Sequence, residues 1–122
     1  MKGKILIVDD EELIRLQIRT KVESVGYEAF EAADLAALKA ALTGPQPDVV
    51  VLDIKLGPGK EEERAGLDML PQIKKRWPET EVIVLTGLGT TENAVEAGKR
   101  GAYNFLTKPF ESEKLALYGY QN

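Results

Sequence analysis

The sequence contains no cysteine and no histidine. Without thiols there are no disulfides, no thiolate metal sites and no cysteine nucleophile. Without imidazoles, a Ser-His-Asp triad and a histidine-ligated zinc are excluded as well. Basic residues are also short: 16 Lys and Arg face 20 Asp and Glu, for a net charge of −4. That balance gives no electrostatic footprint for nucleic acid, so no direct contact with DNA or RNA is expected. Long apolar runs are missing too, none approaching the roughly 20 residues that cross a bilayer. The start, Met1-Lys2-Gly3-Lys4, leads straight into a short apolar strand rather than a leader, so no membrane attachment and a cytoplasmic location are expected. What is present is 122 residues of ordinary globular composition, 43% hydrophobic and 30% charged, which predicts a single domain over 1–122.

Within that domain the most informative residue is Asp53. It ends a run of four apolar residues, Val49-Val50-Val51-Leu52, which reads as a strand buried on both faces in a parallel sheet. Ile5-Leu6-Ile7-Val8 ends the same way, in Asp9-Asp10. Open parallel sheets bind ligands outside the carboxyl ends of their strands. Two buried strands therefore deliver three carboxylates to that edge, an arrangement that is costly unless a cation or a proton relieves it.

Strand and helix patterns alternate five times. After the first strand, Ile14, Ile18, Val22 and Val25 line one helical face that stops at Gly26. Tyr27 to Glu31 reads as a half-exposed edge strand, and Asp34 as the N-cap of a short helix facing inward through Leu35, Leu38 and Leu42. After the third strand, Leu67, Leu70, Ile73 and Trp77 mark a helix whose first turn, or a kink, must accommodate Pro71. Val82 to Leu85 is the fourth strand, ending in Thr86; Thr90 or Thr91 caps a helix running to about Gly101. Tyr103 to Leu106 is the fifth strand, and Ser112 caps a short last helix that stops at Gly119. This (βα)5 pattern predicts an α/β fold, a flavodoxin-like, doubly wound, five-stranded parallel sheet of order 2-1-3-4-5 with a short fifth helix. In that order strands one and three are neighbours, so Asp9, Asp10 and Asp53 converge, with Thr86 and Lys108 flanking the same pocket.

Three clustered carboxylates suit a hard divalent cation such as Mg2+ or Mn2+. A carboxylate beside such a cation can attack a phosphoryl group, with a lysine offsetting charge on the equatorial oxygens. Lys108 has the reach and charge for that, and Thr86 supplies a hydroxyl donor. The Lys108-Pro109 bond is a candidate cis peptide that would turn the lysine toward the site. Taken singly, each residue has an ordinary explanation. Lys108 alone reads as a solvated lysine, Thr86 as a strand-end hydroxyl, Phe105 and Tyr103 as packing, and Glu11 and Glu12 as charges favouring a helix N-terminus. Their co-location at strand C-terminal ends favours chemistry.

The segments Ile5 to Glu11, Asp53 after its apolar strand, Val84-Leu85-Thr86-Gly87, and Gly101 to Phe110 resemble the receiver (CheY-like) domain of two-component response regulators. The resemblance covers nearly the whole chain, with the four motifs in the family's order. It implies that Asp53 accepts a phosphoryl group from a sensor histidine kinase. It implies a metal held by Asp10 and Asp53, by the main-chain carbonyl of Lys55 and, through water, by Asp9. Thr86 and Lys108 would bind phosphoryl oxygens, and Phe105 would be the switch aromatic. A receiver catalyses its own phosphorylation and slow dephosphorylation but turns over no separate substrate. Its signal passes to a downstream output domain or protein, and a homodimer through the face of helix 4, strand 5 and helix 5 is one form of that output. The stretch Gly89 to Phe110 resembles receivers of transcriptional activators, and the short last helix implies either a fragment of a longer regulator or a reduced output surface.

Two features depart from the family pattern. Lys55 to Arg64 is longer than the usual loop, broken by Gly and Pro and highly charged, so it is expected to be mobile and to shape kinase recognition. The last helix is short. Lys55 and Leu88 are expected to border the phosphoryl site and hinder an attacking water, giving slow dephosphorylation. Other classes fit less well. A haloacid-dehalogenase-type phosphatase needs an Asp where Lys55 stands. A dinucleotide-binding domain needs G-x-G-x-x-G where Asp9-Asp10-Glu11 stands. A flavodoxin needs a Ser/Thr/Gly-rich loop there, and an unphosphorylated interaction module has no use for five intact site residues.

Overall fold

The computed structural model describes residues 3–87 and 89–108. The strands β1 (Gly3–Val8), β2 (Tyr27–Ala32), β3 (Val49–Leu52), β4 (Glu81–Thr86) and β5 (Asn104–Thr107) form one parallel sheet in the order β2-β1-β3-β4-β5. Between them run α1 (Glu12–Ser24), α2 (Leu35–Ala41), a short 3₁₀ turn (Lys60–Glu62), α3 (Ala65–Arg76) and α4 (Thr91–Lys99). The expected strand order and alternation are observed. The expected last helix from Ser112 to Gly119, Leu88 and the Lys108-Pro109 bond lie outside the described residues.

Side chains alternating along each strand divide the core in two. Leu6, Val8, Val50, Leu52, Val82 and Val84 point to one face, where they pack with Leu38 of α2 and Leu67, Leu70 and Ile73 of α3. Ile5, Ile7, Val49, Val51, Ile83 and Leu85 point to the other, against Ile18 and Val22 of α1. A strand covered on both faces needs apolar residues at every position, which is why β1 and β3 read as continuous apolar runs. The caps are local. Asp34 accepts the Ala37 N–H at 2.8 Å to start α2, and Thr90 accepts the Asn93 N–H at 3.1 Å to start α4. Gly26 ends α1 with φ of 102°, a conformation few other residues adopt.

Of the two placements expected for Pro71, the first turn of α3 is excluded: the proline sits inside the helix, which continues through it. A proline has no N–H, so the Leu67 carbonyl one turn earlier loses its intrahelical donor. Arg100, just past α4, replaces it: its Nη1 donates to the Leu67 carbonyl at 2.8 Å and to Asp68 at 3.2 Å, while Nε donates to Glu96 at 2.7 Å. The guanidinium thus ties α3 to α4 through a gap that Pro71 creates. Arg100→Met is expected to cost about 1–2 kcal/mol, because a part-buried carbonyl is left without a partner. In a Pro71→Ala background, where position 71 regains its N–H, the same substitution should cost less. Urea denaturation of the four proteins checks this; equal losses in both backgrounds would contradict it.

The charged segment after β3 is anchored at both ends. Leu56 is buried, and its N–H donates to the Glu62 carbonyl at 2.9 Å, closing the segment on itself. At its far end Arg64 donates to Asn93 of α4 at 3.1 Å.

Candidate phosphoryl and metal site

The register of the sheet builds the site. β1 and β3 pair from Ile5 with Val49 to Val8 with Leu52, so the residues following each strand emerge side by side. The Asp53 N–H donates to the Val8 carbonyl at 2.9 Å and the Asp9 N–H to the Ala32 carbonyl at 3.2 Å, carrying the ladder one step past the strands. One carboxylate oxygen from each of Asp9, Asp10 and Asp53 lies within 4.8 Å of the others. Asp9 and Asp53 are buried, at 2% and 5% exposure, whereas Asp10 faces solvent.

Lys108 reaches into this cluster from beyond β5. Its N–H donates to the carbonyl of Thr86, the last residue of β4, at 2.9 Å, which fixes the backbone from which the side chain extends. Its ammonium lies 2.8 Å from Asp9 Oδ2, 2.9 Å from Asp53 Oδ2 and 3.3 Å from Glu11. Thr86 is fully buried at the end of β4, and Phe105 is half-buried on β5, against the cluster of core residues under α2 and α3. Lys55 is exposed between the buried Ile54 and Leu56.

Three carboxylates share one ammonium, and the electrostatics show the imbalance. Burial pushes Asp9 up to about 6, with the Asp53 charge adding to it, despite the opposing hydrogen bonds from Lys108 and from the Glu11 N–H at 2.8 Å. Burial works to lower the pKa of Lys108, but hydrogen bonds and charge from Asp9 and Asp53 outweigh it and hold the ammonium above the usual lysine range. Among the described residues two buried side-chain polar atoms have no hydrogen-bond partner: Asp53 Oδ1 and Trp77 Nε1. An orphaned carboxylate oxygen beside two further carboxylates is a donor set suited to a hard divalent cation, which takes oxygen ligands.

Three participants were not legible as such in the sequence. Glu11 faces Lys108 as well as opening α1. Arg15 donates to the Asp9 carbonyl at 2.8 Å and holds the first acidic turn. Gly66, in the first turn of α3, donates its N–H to the Ile54 carbonyl at 2.8 Å, and a Cβ there would stand 1.9 Å from the Asp53 carbonyl oxygen. The signal for Gly66 was a glycine inside a helical pattern, which usually marks a close approach of backbone.

The family model of the response regulator receiver domain matches residues 5–118. The chain belongs to that family. Receiver domains of several regulators resemble it in sequence and structure. The nitrogen assimilation regulatory protein NtrX of Azorhizobium caulinodans is 38% identical over 96% of this chain and 25% of its own length. NtrX from Brucella abortus, solved with ADP, superposes with a TM-score of 0.87 at 38% identity, over 99% of this chain and 27% of that one. A response regulator from Burkholderia pseudomallei, solved with a phosphorylated aspartic acid, a calcium ion and citrate, gives a TM-score of 0.84 at 26% identity over 92% of this chain and 63% of that one. This receiver spans about a quarter of the length of the NtrX proteins it matches. Among its described residues no helix is long and apolar enough to cross a membrane.

Proposed function

We propose that this receiver accepts a phosphoryl group on Asp53 from the phosphohistidine of a sensor histidine kinase. The observation that carries this reading is Asp53 itself: Lys108 holds Oδ2, while Oδ1 is buried, unpartnered and available as the nucleophile. Oδ1 attacks phosphorus, the bond to the histidine nitrogen breaks, and the imidazole leaves with the electron pair. Lys108, already inside the cluster, neutralises charge on the phosphoryl oxygens with little rearrangement. The Thr86 hydroxyl hydrogen-bonds one of those oxygens. Asp9, Asp10, Asp53 and the Lys55 main-chain carbonyl would hold Mg2+ or Mn2+, which when bound offsets the negative charge of the carboxylates and of the incoming phosphoryl group. Movement of Thr86 toward the new charge opens space for Phe105, and the α4–β5 surface changes its preferred arrangement. The output is a downstream domain or protein, reached directly or through a homodimer, in a regulator of the transcriptional-activator type. The domain turns over no separate substrate.

A small-molecule phosphodonor should shift amide resonances across β4, α4 and β5 in NMR spectra, and Asp53→Asn should abolish those shifts. Shifts that persist in the variant would overturn the reading. Proton competition gives a second expectation. Asp9 titrates near 6, so Mg2+ binding is fully developed above that pH and weakens below it, by up to about tenfold per pH unit. Calorimetric titrations on either side of pH 6 check this; an affinity that does not fall on acidification contradicts it.

A further inference from the structure

Of the three clustered carboxylates, only two are held by a side chain. Lys108 pairs with Asp9 and Asp53. Asp10 is exposed, and its carboxylate makes no hydrogen bond or ion pair among the described residues. The position of that carboxylate therefore depends on the backbone that carries it.

The peptide joining Asp9 to Asp10 is planar, so the direction of the Asp9 carbonyl sets the plane from which the Asp10 Cα departs. That carbonyl accepts from Arg15 Nη1 at 2.8 Å. On the other side of Asp9, its N–H donates to the Ala32 carbonyl at 3.2 Å. Past Asp10, the Glu11 N–H donates to Asp9 Oδ1 at 2.8 Å, and the Glu11 carbonyl accepts from the Arg15 N–H at 3.1 Å. Asp10 is bracketed by fixed backbone although its own side chain is free of partners.

The Arg15 guanidinium is itself held. Its Nε donates to Glu31 Oε1 at 2.9 Å, and Glu31, near the end of β2, also pairs with Arg19 at 2.6 Å. The Arg15 side chain is only 13% exposed. Its planar fork joins the end of β2 to the turn after β1, a geometry that the single nitrogen of a lysine does not reproduce. Its charge works in the opposite sense, because a cation beside the cluster repels a divalent ion. Orientation and charge thus predict opposite effects of removing it.

We propose that Arg15 is a positioning residue for the divalent cation: through the Asp9 carbonyl it sets the Asp9–Asp10 peptide and so aims the Asp10 carboxylate at the ion. The inference rests on the reading of the site as a cation-dependent phosphoacceptor.

Calorimetric titration with Mg2+ at neutral pH compares the native protein with Arg15→Met and Arg15→Lys. Arg15→Met should weaken Mg2+ binding about tenfold, the scale of losing a group that orients a metal ligand. Arg15→Lys keeps the charge and one donor, and should weaken it about threefold. In phosphorylation by a small-molecule donor, the Mg2+ concentration giving half the maximal rate should rise by the same factors. The rate at saturating Mg2+ should change by less than about twofold. Binding by Arg15→Met as tight as that of the native protein, or tighter, would overturn the proposal: a purely structural arginine leaves affinity unchanged, and a purely electrostatic one strengthens it on removal. A loss confined to the saturated rate would overturn it as well. Native protein that binds Mg2+ yet takes up no phosphoryl group would sink the phosphoacceptor reading, and the calorimetric comparison would still decide the role of Arg15.

Discussion

Gly66→Ala is expected to destabilise the domain by about 2–3 kcal/mol and to slow phosphorylation of Asp53 by about a hundredfold. A methyl group at position 66 would stand 1.9 Å from the Asp53 carbonyl oxygen and 2.9 Å from the Ile54 Cα, both backbone atoms. Backbone cannot rotate aside as a side chain can. Either α3 withdraws from β3, breaking the Gly66 to Ile54 hydrogen bond, or the turn carrying Asp53 shifts. Both responses strain a buried segment, and the second moves the nucleophile relative to Lys108. Urea denaturation and the rate of phosphorylation by a small-molecule donor measure the two effects. A variant with an unchanged midpoint and rate would show that the contact is not as close as described.

Lys108→Met should lower stability by about 2 kcal/mol at pH 7 without divalent cation, with most of the loss recovered near pH 5. The lysine is the cation that Asp9 and Asp53 share, and removing it leaves buried carboxylates facing each other. Asp9 limits the cost by taking up a proton. Burial already raises it to about 6, and losing the Lys108 hydrogen bond, which opposes that rise, moves it higher. For a carboxyl whose folded pKa is raised, the loss is present above that pKa and fades as the pH falls through it. Stability curves for both proteins across this range give the answer. No loss at pH 7, or a loss that grows on acidification, would contradict the charge balance described for the site.

The parts of the fold that were legible in the sequence are those written in local pattern. The apolar runs Ile5 to Val8 and Val49 to Leu52 announce strands covered on both faces, and they are. Asp34, Thr90 and Gly26 act on their own helix ends, so each could be read within a few residues. The acidic cluster was legible because strand order alone brings Asp9, Asp10 and Asp53 together. What escaped depends on partners distant in the chain. Pro71 is tolerated inside α3 because Arg100, just past α4, bonds the carbonyl it leaves behind. The role of Glu11 follows from Lys108, which approaches from the far end of the sheet. Gly66 is needed for what lies across from it, which periodicity does not encode.

The central claim is that Asp53 is a phosphoryl acceptor in an acidic, cation-requiring site. Intact mass spectrometry after exposure to a small-molecule phosphodonor with Mg2+ tests it most directly. The account expects one added phosphoryl group, absent when Mg2+ is chelated and absent in Asp53→Ala. An unchanged mass in the native protein, or the same addition in Asp53→Ala, would contradict it.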